Sequence, residues 1–391
     1  NGIMTGMGED YFGPYASLSR AQFALILYRI EGEPKTDKEL RMKTTLGMIR
    51  RADEEYNMIQ PGDKVATVSL SWGAAGVPEI RWRYELGKRR MEKLFGVQVV
   101  EMPHTLAPEQ YVSEHPEKRA EDLMAAFADP SIKAIFNVIG GSDSVRMLPY
   151  IDFDVIRNNP KIFTGYSDGT TTDFICMKAG ISSFYGAHVL NDFAEPGKMM
   201  PYTENIIRRM LFSNDVVGEI EPSDCYAQGD LPWNDPDARH TYVPDWGYEC
   251  LRGGVARGTL IGGCFEVFPD FEGDELDPPA EAFDGSILFY EVCGKPSEEK
   301  YRTRLRHYGE KGWFRNISGL LMGKPLGDRV KHDMLNRVTL EVLAEFGRSD
   351  LPVLANASFG HNVPSGVIPM GAMAEIDCEK GKFTILENVT E

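Results

Sequence analysis

Residues 134–150 read AIFNVIGGSDSVRMLPY, and the fold turns on how that stretch is parsed. Ala134, Ile135, Phe136, Val138 and Ile139 make an apolar, β-branched run of the kind found in strands buried on both faces. The run stops at Gly140-Gly141, and a small polar cluster and a short apolar-periodic segment follow. Strand, tight turn, helix is the expectation. Paired glycines open backbone dihedrals closed to other residues, so a side chain just beyond them can be lifted clear of the sheet edge. Ser144 is the candidate for that side chain. The amide of Val145 would face the same space, and with a glycine amide, that of Gly141, it could hold a developing oxyanion. Taken alone, the pattern also fits an ordinary βα turn or a phosphate-binding loop, and it does not match the G-x-S-x-G elbow.

The same alternation runs outward on both sides. Residues 64–70 (KVATVSL) read as a first strand, SWGAAG as its βα loop, 78–95 as a charged helix, 97–102 (VQVVEM) as a strand and 117–127 as a helix. Beyond the central turn, 161–166 (KIFTGY) is a strand ending in Ser167-Asp168-Gly169-Thr170, a helix carries Phe174, Ile175 and Met177, and 182–189 (SSFYGAHV) is a further strand. This order predicts an α/β fold with a mostly parallel, doubly wound sheet. Ligands of such sheets sit beyond the carboxyl ends of the strands, where Ser71 and Ser144 would both lie. Asp168 is expected to cap the next helix or to bind substrate.

Residues 219–257 are polar and Pro-rich, and read as a lid-like loop whose Trp233 and Trp246 stack on a planar ligand or pack the loop down. The last third, with GTLIGGCF (258–265), strands at 286–292 and 352–356 and helices at 300–308 and 333–346, predicts a second domain of mixed sheet and helices. Glu291 ends one of its strands and His361 follows another, placed to face the first domain across a cleft. The expected division is a 1–35 segment, a 36–60 helical linker, a 61–218 α/β domain with the nucleophile, a 219–257 loop-rich connection and a 258–391 domain with Glu291 and His361.

Bulk chemistry narrows the function. Among 391 residues, 42 Lys and Arg face 59 Asp and Glu, a net charge of −17, which opposes binding to a nucleic acid polymer and favours a soluble protein with small or cationic ligands, while leaving room for one basic pocket. No apolar run reaches membrane-span length, so no membrane insertion is expected. Six cysteines (Cys176, Cys225, Cys250, Cys264, Cys293, Cys378) lack C-x-x-C spacing, which argues against a zinc site and a disulfide framework. Reduced thiols, no metal and no cofactor are expected. The chain opens on Asn1 with no visible signal peptide, which leaves room for an upstream beginning. Residues 2–34, with Phe12-Gly13-Pro14 and Ser19-Arg20-Ala21, resemble the second half of a surface-layer homology repeat, which implies attachment to cell-wall polymer. An N-terminal helical extension packed on the body is the alternative.

The blocks IGGSDSVRMLPYID, GYSDGTTTDF, FYGAHV, GTLIGGCFEVF, ILFYEV and FGHNVPSGVIPMGAMAEID resemble the LD-carboxypeptidase family of serine peptidases, and within it the microcin C immunity branch. The resemblance implies a flavodoxin-like first domain, a mixed β/α second domain, homodimers and a cytoplasmic location, against a cell-surface one if the N-terminal repeat is an anchor. It also implies that Ser144 is the nucleophile, Glu291 the triad carboxylate and His361 the base. Two positions depart from the family pattern, Cys264 where Asn is common and Val292 where an acidic residue is common. Amide hydrolysis of an aminoacyl-nucleotide or related peptide is the function so implied. Removal of a D-amino acid from murein tetrapeptide, and a non-catalytic wall-anchored binding protein, are the alternatives. A Rossmann-type nucleotide binder is disfavoured, because neither SWGAAG nor GTLIGG matches G-x-G-x-x-G.

Overall fold

The computed structural model describes residues 57–229, 231–326 and 329–390. The surface-layer-like segment and nearly all of the expected linker lie outside the described residues. Residues 57–60, at the linker's end, are not helical; Ile59 is buried, with its amide on the Leu211 carbonyl at 2.8 Å. The first part of the chain alternates β1 (Lys64–Val68), α1 (Arg81–Phe95), β2 (Gln98–Glu101), α2 (Glu109–Glu114), α3 (Pro116–Ala128), β3 (Ile132–Asn137), α4 (Phe153–Asn158), β4 (Ile162–Gly165), α5 (Thr170–Ala179), β5 (Ser183–Tyr185) and α6 (Pro201–Leu211). In β3 every residue but Lys133 is buried, because helices cover both faces of a parallel sheet. The segment after the double glycine is a 3-10 helix, Ser144–Tyr150, with Ser144 as its first residue.

The strands β2, β1, β3, β4 and β5 pair in parallel in that order. Strand order therefore reverses between β1 and β3, the place where ligands of such sheets bind, and the loops leaving those two strands meet there through the Trp72 amide on the Gly140 carbonyl at 3.1 Å. Those loops carry Ser71 and Ser144.

The remaining chain adds β6 (Gly218–Ile220), β7 (Cys225–Gln228), β8 (Thr241–Pro244), β9 (Glu249–Arg252), β10 (Val255–Cys264), β11 (Ile287–Glu291), α7 (Glu298–Glu310), β12 (Gly319–Gly323), α8 (Arg329–Glu345), β13 (Val353–Ala357), β14 (Ile368–Met370), β15 (Met373–Asp377) and β16 (Lys382–Ile385). An eight-stranded sheet runs in the order β6-β16-β15-β10-β11-β12-β13-β9. Its β10 has two characters. Residues 255–259 pair antiparallel with β15, and 260–264 pair parallel with β11. Gly262 is required there, since a Cβ would collide with the Phe289 carbonyl of β11.

Two features depart from the sequence reading. The stretch 219–257, read as a loop-rich connection, holds the β7–β8 hairpin and both edge strands of the large sheet, β6 ending at Ile220 and β9. Strands of three or four half-buried residues carry too little alternation to stand out. The other is β14, which leaves the C-terminal region to pair antiparallel with β5 and so ties the two sheets together.

Candidate active site

The turn after β3 is held from below by three groups. Gly141 takes φ +155°, and a Cβ there would strike Ser71 Oγ, so only glycine fits. Ser71 Oγ accepts the amide of Ser142 at 3.0 Å and donates to Asp168 Oδ2 at 2.5 Å. That same carboxylate oxygen accepts the amides of Asp143 at 2.9 Å and Ser144 at 2.8 Å. Buried Arg119 donates to Asp143 Oδ1 at 2.8 Å and to the Leu70 carbonyl at 3.1 Å, joining the two loops. Burial acts to raise the Asp143 pKa, but Arg119 and Arg146 outweigh it and hold the carboxyl below its usual range.

Ser71 and Asp168, expected to touch substrate, are thus both buried and engaged with the turn. Asp168 does not cap α5 either; the N-cap position is Gly169, without a side-chain bond. Two backbone amides and a hydroxyl offer that carboxylate a stronger set of donors than a helix start would. Val145 is half-buried within the 3-10 helix, and Gly141 is exposed. The Ser144 hydroxyl donates to the Asp168 carbonyl at 2.8 Å.

The second half is built on the large sheet. Glu291 ends β11, fully buried, because Gly323 and Gly360 leave room for its side chain; a Cβ at Gly360 would collide with it. Glu291 Oε1 accepts from Tyr185 Oη at 2.6 Å and pairs with His361 Nδ1 at 2.8 Å. Its Oε2 is buried without a hydrogen-bond partner. Burial acts to lower the His361 pKa, and the Glu291 charge and hydrogen bond overcome it, raising the imidazole to about 9. With Nδ1 committed to Glu291, Nε2 is the nitrogen left for proton transfer.

One segment of chain touches both halves. The Tyr166 ring stands edge-on to the His361 ring with centroids 5.3 Å apart, and two residues later the Asp168 carbonyl holds the Ser144 hydroxyl. Ser167, between them, takes φ +58°, which aims its amide at Tyr185 Oη at 3.3 Å. Among the described residues, no hydrogen bond joins Ser144 to His361; the hydroxyl would need to swing off the Asp168 carbonyl to meet the imidazole.

Trp233 and Trp246 lie in different places. Trp233 packs against Trp72 with ring centroids 5.4 Å apart, next to Ser71. Trp246 is enclosed by Tyr226, His332, Lys324 and Arg329. Beside it is a cavity of about 320 Å³ lined by Lys295, Lys324, Arg329 and Asn362, the neighbour of His361. Lys324 is paired with Asp245 and Arg329 with Glu249, whereas Lys295 is exposed and has no ion pair among the described residues. Tyr185, Arg119 and this cationic wall were not marked by sequence reasoning. A tyrosine inside an apolar strand looks like core until its partner is known.

Comparison with known proteins adds the family. The LD-carboxypeptidase N-terminal domain matches residues 65–186 and the LD-carboxypeptidase C-terminal domain residues 257–376. The chain belongs to the LD-carboxypeptidase family. As a member it is an enzyme, a serine peptidase. The putative carboxypeptidase YocD of Bacillus subtilis is 30% identical over 300 residues, 76% of this chain and 89% of that one. The microcin C7 self-immunity protein MccF of Escherichia coli is 26% identical over 283 residues, 69% of this chain and 78% of its own. Among solved structures, an MccF-like protein from Streptococcus pneumoniae in complex with AMP has a TM-score of 0.76 and 30% identity, covering 83% of this chain and 98% of that one. Among the described residues, no helix is long and apolar enough to cross a membrane.

Proposed function

We propose that this LD-carboxypeptidase family member cleaves an amide with Ser144 as nucleophile, His361 as base and Glu291 as the carboxylate that orients it. The observation that carries the reading is the segment 166–168, with His361 packed on its Tyr166 ring and the Ser144 hydroxyl bound to its Asp168 carbonyl. His361 Nε2 takes the hydroxyl proton as Oγ bonds to the substrate carbonyl carbon. The amides of Val145 and Gly141 hold the resulting oxyanion. The C–N bond then breaks, and the imidazolium gives its proton to the departing amine. Water repeats the cycle on the acyl-enzyme, freeing the acid and restoring the serine. A flavodoxin-like first domain, a second domain over 258–391, a cleft between them and a homodimer belong to the same proposal.

The substrate we infer is an aminoacyl-nucleotide or related peptide amide with an anionic end. The cavity lined by Asn362 and Lys295 supports this through Lys295, a cation with no ion pair among the described residues. Trp233, packed between Trp72 and the Arg83 guanidinium, and Trp246, enclosed by Lys324 and Arg329, are the aromatic candidates to meet a nucleobase. AMP in the Streptococcus pneumoniae relative supports the nucleotide. The same cationic cavity suits the terminal carboxylate of a murein tetrapeptide, which keeps removal of a terminal D-amino acid as the second reading.

Incubation with an aminoacyl-adenylate phosphoramide and with murein tetrapeptide, read by mass spectrometry with and without AMP, separates the two. The nucleotide reading expects cleavage of the first, suppressed by AMP. Tetrapeptide cleavage indifferent to AMP, with the phosphoramide intact, would sink it. If Ser144→Ala retains full cleavage, the assignment of the nucleophile fails.

A further inference from the structure

Beside the Glu291–His361 pair, at the carboxyl ends of β10 and β11, two thiols and a carboxylate converge. Cys264 Sγ, a Glu266 carboxylate oxygen and Cys293 Sγ all lie within 4.8 Å of one another. Register explains the meeting. Cys264 lies opposite Glu291 in the parallel pair, so Cys293, two residues on, comes back toward the loop that leaves β10. Cys264 is buried, and Glu266 and Cys293 are half-buried. The carboxylate is already oriented, for Oε2 accepts the Cys293 amide at 3.1 Å and Oε1 the Gly294 amide at 3.0 Å.

We infer that Cys264, Glu266 and Cys293 form a binding site for one thiophilic divalent cation of the zinc type. Tetrahedral zinc, with bonds of about 2.3 Å to sulfur and about 2.0 Å to oxygen, sets S···O near about 3.5 Å and S···S near about 3.8 Å. Cys264 Sγ is 3.6 Å from Glu266 Oε2. Against the 4.8 Å outer limit of the cluster, the two sulfurs need to close by at most about 1 Å, within reach of a rotation of half-buried Cys293. Both thiols release their protons as the metal–sulfur bonds form. Two thiols and a carboxylate carry one negative charge, and two thiolates, a carboxylate and a dication carry the same, so filling the site adds no net charge to a buried region. Two sulfur ligands select zinc, cadmium or cobalt over magnesium and calcium, and three protein ligands leave a fourth position for water.

The test uses the full chain without a histidine tag, reduced and stripped with chelator, and titrated with Co²⁺ and then Zn²⁺. One equivalent of Co²⁺ with thiolate-to-metal charge-transfer absorption, displaced by Zn²⁺ with release of about two protons per metal, is expected. Cys264→Ser, Cys293→Ser and Glu266→Gln should each weaken binding at least about tenfold, and exposed Cys250→Ser should leave it unchanged. Absence of the charge-transfer band in the unmodified chain overturns the inference whether or not the variants fold. So does unchanged affinity in the Cys264→Ser/Cys293→Ser double variant. A Cys264–Cys293 disulfide in the purified chain, with no metal uptake after its reduction, would overturn it as well.

Discussion

The two halves of the site are held by different physics. Around Ser144, Asp168 Oδ2 receives a hydroxyl and two amides, and Arg119 balances Asp143. Around His361, one Glu291 oxygen is shared by Tyr185 and the imidazole, and the other is buried with no partner. The first half fixes position through hydrogen bonds gathered on one carboxylate oxygen, the other oxygen of Asp168 being buried without a partner as well. The second sets its incompletely bonded carboxylate against an imidazole, a group whose charge changes with pH and is stabilised by that carboxylate. Changes in the first half should therefore alter geometry, and changes in the second should alter titration.

Ser144→Ala is the largest test of that contrast. Removing the nucleophile is expected to lower kcat/KM by at least about 10⁴-fold. The fold loses one hydrogen bond, to the Asp168 carbonyl, about 1 kcal/mol. Steady-state kinetics beside calorimetry separates the outcomes, and a variant that unfolds early would mark the serine as structural.

Glu291→Gln comes next, with about 10²- to 10⁴-fold lost from kcat. The sharper readout is pH. With the imidazole raised to about 9, the neutral base is scarce at pH 7, so kcat/KM should climb nearly tenfold per pH unit toward 9. In Glu291→Gln the main causes that raise the pKa are gone, and burial, which lowers it, remains as the largest influence beside the smaller pulls of Cys293 and Glu266. The inflection should move to below the ordinary histidine value while the plateau falls. Stability follows with the sign fixed by the raised pKa. Protonated His361 favours the fold by about 3 kcal/mol below pH 6.5, and that contribution is lost as pH rises through 9. Thermal melts of both proteins between pH 6 and 10 check it.

Much of this architecture was open to reading in advance because parallel strands are continuous apolar runs; β1, β3, β4, β11 and β13 lie where those runs do. The site was open to reading only in part. Ser144, Glu291 and His361 stand at strand ends and in blocks that resemble a family, so they could be named as candidates. Tyr185 could not, because its partner Glu291 lies 106 residues away and only the β5–β14 pairing and the meeting of the sheets bring them together. The Cys264–Cys293 cluster escaped for the same reason, since metal motifs are sought at short spacing and this one is made by strand register. Asp168 was read by its local setting, as a helix cap or a substrate contact, whereas its carboxylate is engaged with the turn from β3.

Gly141→Ala probes the geometric half with a smaller expected loss. Its Cβ would strike Ser71 Oγ, and the φ of +155° is closed to alanine, so the turn must shift. A fall in kcat of about 10²-fold is expected, as for loss of one oxyanion donor, with a stability cost of about 1–3 kcal/mol. Because the substitution leaves the Glu291–His361 pair untouched, the pH inflection near 9 should stay where it is even as the rate drops.

Tyr185→Phe is the smallest change and the most discriminating, because it touches both halves at once. It deletes the donor at 2.6 Å from Glu291 Oε1 and the acceptor at 3.3 Å from the Ser167 amide. The Glu291 carboxylate would then rest on His361 alone, with more of its charge uncompensated. That draws the imidazolium closer and raises its pKa further, so the pH inflection should move upward, opposite to Glu291→Gln. The rate at pH 7 should fall only several-fold, and stability by about 1–3 kcal/mol for a buried acceptor left short of a donor. If the inflection stays fixed while the melting temperature falls, Tyr185 serves only to join the sheets and the charge stored at Glu291 does not depend on it.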